Sequence, residues 1–169
     1  MKLSTILFST VICITLFASV FFTSCKKETT TPPANNGGAT YTNSFSYKRN
    51  GISQAVNSVT KTTINLGGIS YIAIAANTTS QSQVLNLWID PASVVGSYSF
   101  GFVGSDHVMQ FSNSALPGAY TSDGGNLNIS KHDISAKIIE GTFYGTVYDD
   151  PISPTDSVLI SSGAFKISY

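Results

Sequence analysis

The sequence predicts an all-β, antiparallel protein, and three observations carry that expectation. Past Tyr41, apolar and polar side chains alternate in short runs rich in Ile, Val, Phe, Tyr and Thr, the period-two pattern of a half-buried strand. Gly, Asn, Asp and Pro fall between the runs, where turns are needed. No run shows the 3.6-residue periodicity of an amphipathic helix. About eight to ten strands joined by short turns fit an antiparallel β-sandwich over residues 41–169, with a flattened, lipocalin-like closed barrel as the alternative.

The strands follow in order. Phe45/Tyr47, Ile64/Leu66, Ile72/Ile74 and Leu85/Leu87/Ile89 each place apolar groups on one face. Tyr98/Phe100/Phe102, His107/Met109/Phe111 and Leu127/Ile129 repeat the pattern, as do Ile139/Phe143/Val147 and Phe165/Ile167/Tyr169. Asn50-Gly51 and Gly67-Gly68 are hairpin turns, because both supply the positive φ that a tight two-residue loop requires. Asp90-Pro91 stops a strand, and Pro117-Gly118 and Asp123-Gly124-Gly125 mark a longer loop. The Gly141-Thr142-Phe143 step and Gly163 are expected at bulges or tight corners.

Ahead of this domain the chain is organised differently. Met1-Lys2 is followed by an uncharged apolar stretch over residues 3–24, then Phe22-Thr23-Ser24-Cys25 and Lys26-Lys27-Glu28. A basic start, an apolar middle and small residues before a cysteine are the parts of an export signal. They resemble the bacterial lipobox, with Phe22 where that motif usually has an aliphatic residue. The resemblance implies that residues 1–24 are removed and that Cys25 becomes the diacylglycerol-bearing, acylated first residue. The same stretch is long enough to cross a hydrocarbon core of about 30 Å as an uncleaved anchor. Residues 25–40, with Thr-Thr-Thr-Pro-Pro and Asn-Asn-Gly-Gly, have no large apolar group to bury and read as a flexible tether. The expected organisation is therefore signal peptide 1–24, lipidated cysteine and linker 25–40, and all-β domain 41–169.

Composition excludes several functions. The chain has nine basic and nine acidic residues, so no charge excess invites nucleic acid. Its two cysteines, Cys13 and Cys25, lie in the leader and at the lipid site. The domain therefore has no thiol for a disulfide, a thiolate metal site or a cysteine nucleophile.

The run Gly125-Asn126-Leu127-Asn128-Ile129 to Asp133, then Ile139-Glu140-Gly141-Thr142-Phe143, then Gly163-Ala164-Phe165 is similar to the end of small surface lipoproteins of Bacteroidota, which form families without an agreed activity. Lys26-Lys27-Glu28 resembles the charged signal that routes such proteins to the outer leaflet. The resemblance implies an outer-membrane, cell-surface β-module, with the periplasmic leaflet as the alternative, and says nothing of chemistry.

The site candidates are few. Trp88 falls opposite Leu85, Leu87 and Ile89, beside Asn86 and Asp90, and an aromatic ring among amide and carboxylate groups suits a sugar ring. Tyr144 and Tyr148 fall opposite Phe143 and Val147 and extend such a platform. The membrane through the Cys25 lipid, and a glycan or an envelope protein, are the expected partners. A purely structural role in an envelope complex is the alternative. A hydrolase requires His107 or His132, each beside an aspartate, to converge with a carboxylate or a serine in a cleft. No nucleophile motif is present, so no catalytic residue, metal or cofactor is assigned. Asp149, Asp150 and Asp156 read as a solvated turn more readily than as a calcium loop. Asp156-Ser157-Val158 resembles a Bacteroidota O-glycosylation acceptor, whereas the sequons at Asn77 and Asn128 are not expected to be used.

Overall fold

In the computed structural model, residues 41–79, 82–150 and 152–169 are described. The leader, Cys25 and the linker lie outside them. Among the described residues eleven strands form one sheet. They are β1 (Ser44–Arg49), β2 (Ile52–Ser53), β3 (Val56–Leu66), β4 (Ile69–Thr78), β5 (Val84–Ile89) and β6 (Gly96–Ser99). After them come β7 (His107–Ser112), β8 (Tyr120–Ser122), β9 (Asn126–Asp133), β10 (Ile138–Tyr148) and β11 (Ser157–Ser168). Every ladder between these strands is antiparallel. The all-β expectation holds, and the sheet curls into a half-barrel around one core.

The order is β2-β1-β11-β10-β8-β7-β5-β4-β3, with β9 and β6 branching off beside β10. β9 pairs with β10 through Tyr144, and β8 takes over at Val147. β8 and β9 therefore lie end to end along one edge of β10, separated by Asp123-Gly124-Gly125. Where β8 stops, Gly101 bridges to Val108 of β7. Ser122 ties this junction, its hydroxyl donating to the Gly101 carbonyl at 2.9 Å and accepting from the Met109 amide at 3.0 Å.

The inward positions are those the alternation selects. Tyr47, Ile72, Leu87, Phe111, Ile129, Phe143 and Ile167 are all buried in one cluster. Transfer of such side chains from water, at about 25 cal/mol per Å² of apolar surface, is the main force closing the sheet. Residues Ala39–Tyr169 form a compact unit, and every member of this cluster lies within it. Two alternations break at the sheet's margins. Leu66 is exposed because β3 is an outer strand with a ladder only to β4. Phe102 is exposed because β6 ends at Ser99 and the chain leaves the sheet.

Turn chemistry follows the residues. Asn50 and Gly51 have φ of 48° and 81°, and Gly67 and Gly68 have φ of 61° and 88°, the left-handed pairs that tight hairpins require. The anticipated bulges are present, one between Glu140 and Gly141 against β9 and another between Phe143 and Gly145 against β11.

Candidate functional site

Tyr144 and Tyr148 reach the outer face of β10 through the alternation that buries Phe143 and Val147. Between them the wall is dented. Gly125 packs so closely on β10 that a Cβ there would lie 2.4 Å from the Tyr144 carbonyl oxygen, and one on Gly145 would lie 2.9 Å from that of Gly124. Glycine is required at this crossing because no side chain fits between the strands. The result is a groove of about 340 Å³ lined by Asp123, Gly124, Gly125, Tyr144, Gly145, Thr146, Tyr148 and Leu159. Tyr144 is 58% exposed, and Tyr148 is half-buried. The groove thus offers two phenol rings, a carboxylate, a hydroxyl and an apolar side chain on a wall held rigid by two long ladders.

Trp88 lies elsewhere. It occupies the outer face of β5, as expected, and β7 and β8 separate that strand from β10. At about 4.8 Å per strand, this places it roughly 14 Å from the tyrosines across the sheet. Trp88 is half-buried, its ring 5.9 Å from that of Tyr71. Tyr71 is fully buried and donates to the Ser105 carbonyl at 2.9 Å, so the connection between β6 and β7 folds over this part of the wall. The three aromatics do not form one platform.

No family model, curated protein or solved structure matches this chain. The chemistry is accordingly read from its own geometry.

A cleft of about 500 Å³ opens where β5 ends and β7 begins, with Asp90, Ser93, Tyr98, Asp106 and His107 among its lining residues. Sequence reasoning missed Ser93, because nothing in Pro91-Ala92-Ser93 marks it. The structure ties both histidines to it. His107 Nε2 shares a 2.8 Å hydrogen bond with the Ser93 hydroxyl, and His132 Nδ1 donates to the Ser93 carbonyl at 2.5 Å. His132 Nε2 shares a second hydrogen bond, of 2.7 Å, with the Tyr169 hydroxyl. Tyr98 stacks on His107 at 4.5 Å. Burial holds the His107 pKa below its ordinary value, against the raising influence of Asp106 and Asp90.

A neutral histidine on a serine hydroxyl is the start of a nucleophilic site. The neighbouring donors, however, are already used. The Ser93 amide bonds the Asp90 carbonyl, the Ala92 amide bonds Asp90 Oδ1, and the Val94 amide bonds the Tyr98 hydroxyl. None of these three points at an oxyanion, which is where acyl transfer needs its donors. Ser93 acts in this geometry as a pin, joining the segment after β5 to β7, β9 and the C-terminus.

The acidic loop closes on itself. Asp149 accepts from the Thr155 hydroxyl and from the amides of Asp150, Thr155 and Asp156. These bonds hold its pKa well below the usual carboxylate range, the Thr155 hydroxyl contributing most. Asp150 caps Ile152 and Ser153, and Asp156 takes the Tyr120 hydroxyl. Among the described residues no cluster of three or more His, Cys, Asp or Glu is placed to hold a metal ion.

Proposed function

We propose that this chain is a lipid-anchored, surface-exposed outer-membrane lipoprotein. Its leader is residues 1–24, its acylated residue is Cys25, and its half-barrel binds a glycan in the groove between Tyr144 and Tyr148. The observation that carries the reading is the exposed Tyr144 ring beside a dent of about 340 Å³ with polar groups at hand. Sugar rings present alternating apolar C–H faces and hydroxyl edges. A phenol face supports the former, and Asp123 and Thr146 are placed for the latter. Trp88 is the weaker candidate, since its contact with Tyr71 gives the ring a packing role.

The test is a glycan-array screen of residues 39–169 with wild type, Tyr144→Ala, Tyr148→Ala and Trp88→Ala. The reading expects binding that is lost in the two tyrosine variants and kept in a folded Trp88→Ala. Loss confined to Trp88→Ala moves the site to the other wall. Absence of binding by wild type removes the glycan and leaves a protein partner or an assembly role.

A hydrolase is the second reading, favoured by the Ser93–His107 hydrogen bond alone. It expects activated-ester turnover that vanishes in Ser93→Ala. The spent amides around Ser93 argue for the binding module instead.

A further inference from the structure

We propose that one end of the half-barrel, the end at which the tether joins it, rests on the lipid surface that holds the tether. The inference rests on the anchored-lipoprotein reading above and adds an orientation to it.

Strand directions fix which loops share that end. β1 begins there, with Ser44 paired to Lys166 near the end of β11. Because the ladders are antiparallel, β3, β5, β9 and β11 finish at this end, and β4, β7 and β10 start there. The β3–β4 turn, the segment after β5, the connection before β7 and the β9–β10 turn are therefore neighbours. These carry Leu66, Val94, Val95, Phe102, Val103 and Ile134, all exposed large apolar residues. The opposite end carries Ile52 and Ile152, while Tyr144 and Leu159 lie on the wall. Val94 is 67% exposed and Phe102 56% exposed, more than scattered surface residues explain when they gather at one end.

The entry of the chain is pinned to the same end. The Tyr41 hydroxyl donates to Glu140 Oε1 at 3.0 Å, and Lys166 Nζ sits 4.7 Å above the Tyr41 ring. Sixteen residues, Cys25 to Thr40, separate the acylated cysteine of that reading from Tyr41, and a chain of that length spans at most about 53–58 Å. Confined within that span, the domain is held at about millimolar local concentration at the membrane, so even a weak contact between apolar loops and lipid is populated. The Tyr144 groove, on the wall, stays accessible in this orientation.

The test uses the full chain, purified from bacterial membranes and mixed with vesicles of phosphatidylethanolamine and phosphatidylglycerol containing doxyl-labelled lipid. Single-cysteine variants Val94→Cys, Phe102→Cys and Ile152→Cys carry a bimane label. Loss of the leader removes Cys13, and acylation blocks Cys25, so wild type should take no label and should float with the vesicles. The proposal expects bimane quenching several-fold stronger at positions 94 and 102 than at 152. Flotation with equal quenching at all three positions overturns the orientation while leaving the anchor intact. Labelling of wild type together with failure to float overturns the anchor itself, and the orientation with it.

Discussion

Replacing Gly163 with alanine tests how the last two long strands pack. Gly163 pairs with Phe143 beside the bulge that separates Phe143 from Gly145, and a Cβ on Gly163 would lie 2.5 Å from two Phe143 ring atoms. That ring is hemmed in by Phe45 at 5.3 Å and Phe165 at 6.3 Å, so it has nowhere to yield. Overpacking of this kind costs about 1–3 kcal/mol. For a domain of this size the cost corresponds to a fall in Tm of roughly 3–5 °C per kcal/mol. Urea and thermal unfolding of residues 39–169 should show that loss in Gly163→Ala. The same substitution should cost at least about 0.5 kcal/mol less in a Phe143→Leu background, since the shorter side chain vacates the contested space. An unchanged urea midpoint in Gly163→Ala, or strict additivity in the double variant, would refute the argument from Phe143.

The His107 pKa is lowered in the fold, so the unfolded chain binds the proton first as pH drops. Stability should be level above pH about 6.5 and decline as pH falls from there through the folded value, and His107→Asn should flatten that decline in urea midpoints measured across the range. Ser93→Ala strips His107 of its hydroxyl partner and should cost about 1–3 kcal/mol in the same measurement, as an unsatisfied buried polar group does. Asp149→Ala removes the acceptor of four hydrogen bonds in the β10–β11 loop, and limited proteolysis should cut that loop faster than in wild type. Trp88→Ala should lower the urea midpoint because the ring packs on Tyr71, and an unchanged midpoint would return Trp88 to the list of free binding residues.

Much of the sheet was legible because strand alternation is a local signal. Leu85, Leu87, Ile89, Met109 and Phe111 were assigned inward by spacing alone, and all are buried. The hairpins at Asn50-Gly51 and Gly67-Gly68 were legible because few residues tolerate their φ values. What spacing does not encode is which strands become neighbours. The branch at β10, where β8 and β9 share one edge, depends on the Asp123-Gly124-Gly125 step, which reads only as a loop. That step also makes the groove, so Tyr144 and Tyr148 were foreseen as outward residues but not as the two sides of a dent. The distance from Trp88 to the tyrosines is a matter of strand order and was equally hidden. Ser93 was missed because its role rests on His107 and His132, 14 and 39 residues further on.

The most direct measurement of the central claim is amide chemical-shift mapping of residues 39–169 during titration with the glycans that score on the array. A groove between Tyr144 and Tyr148 predicts saturable shifts confined to residues 123–125 and 144–148 and to Leu159, with little change at Trp88 or Ser93. Shifts centred on Ser93, Tyr98 and His107, or spread along β4 and β5 around Trp88, would contradict it and assign the ligand to another face.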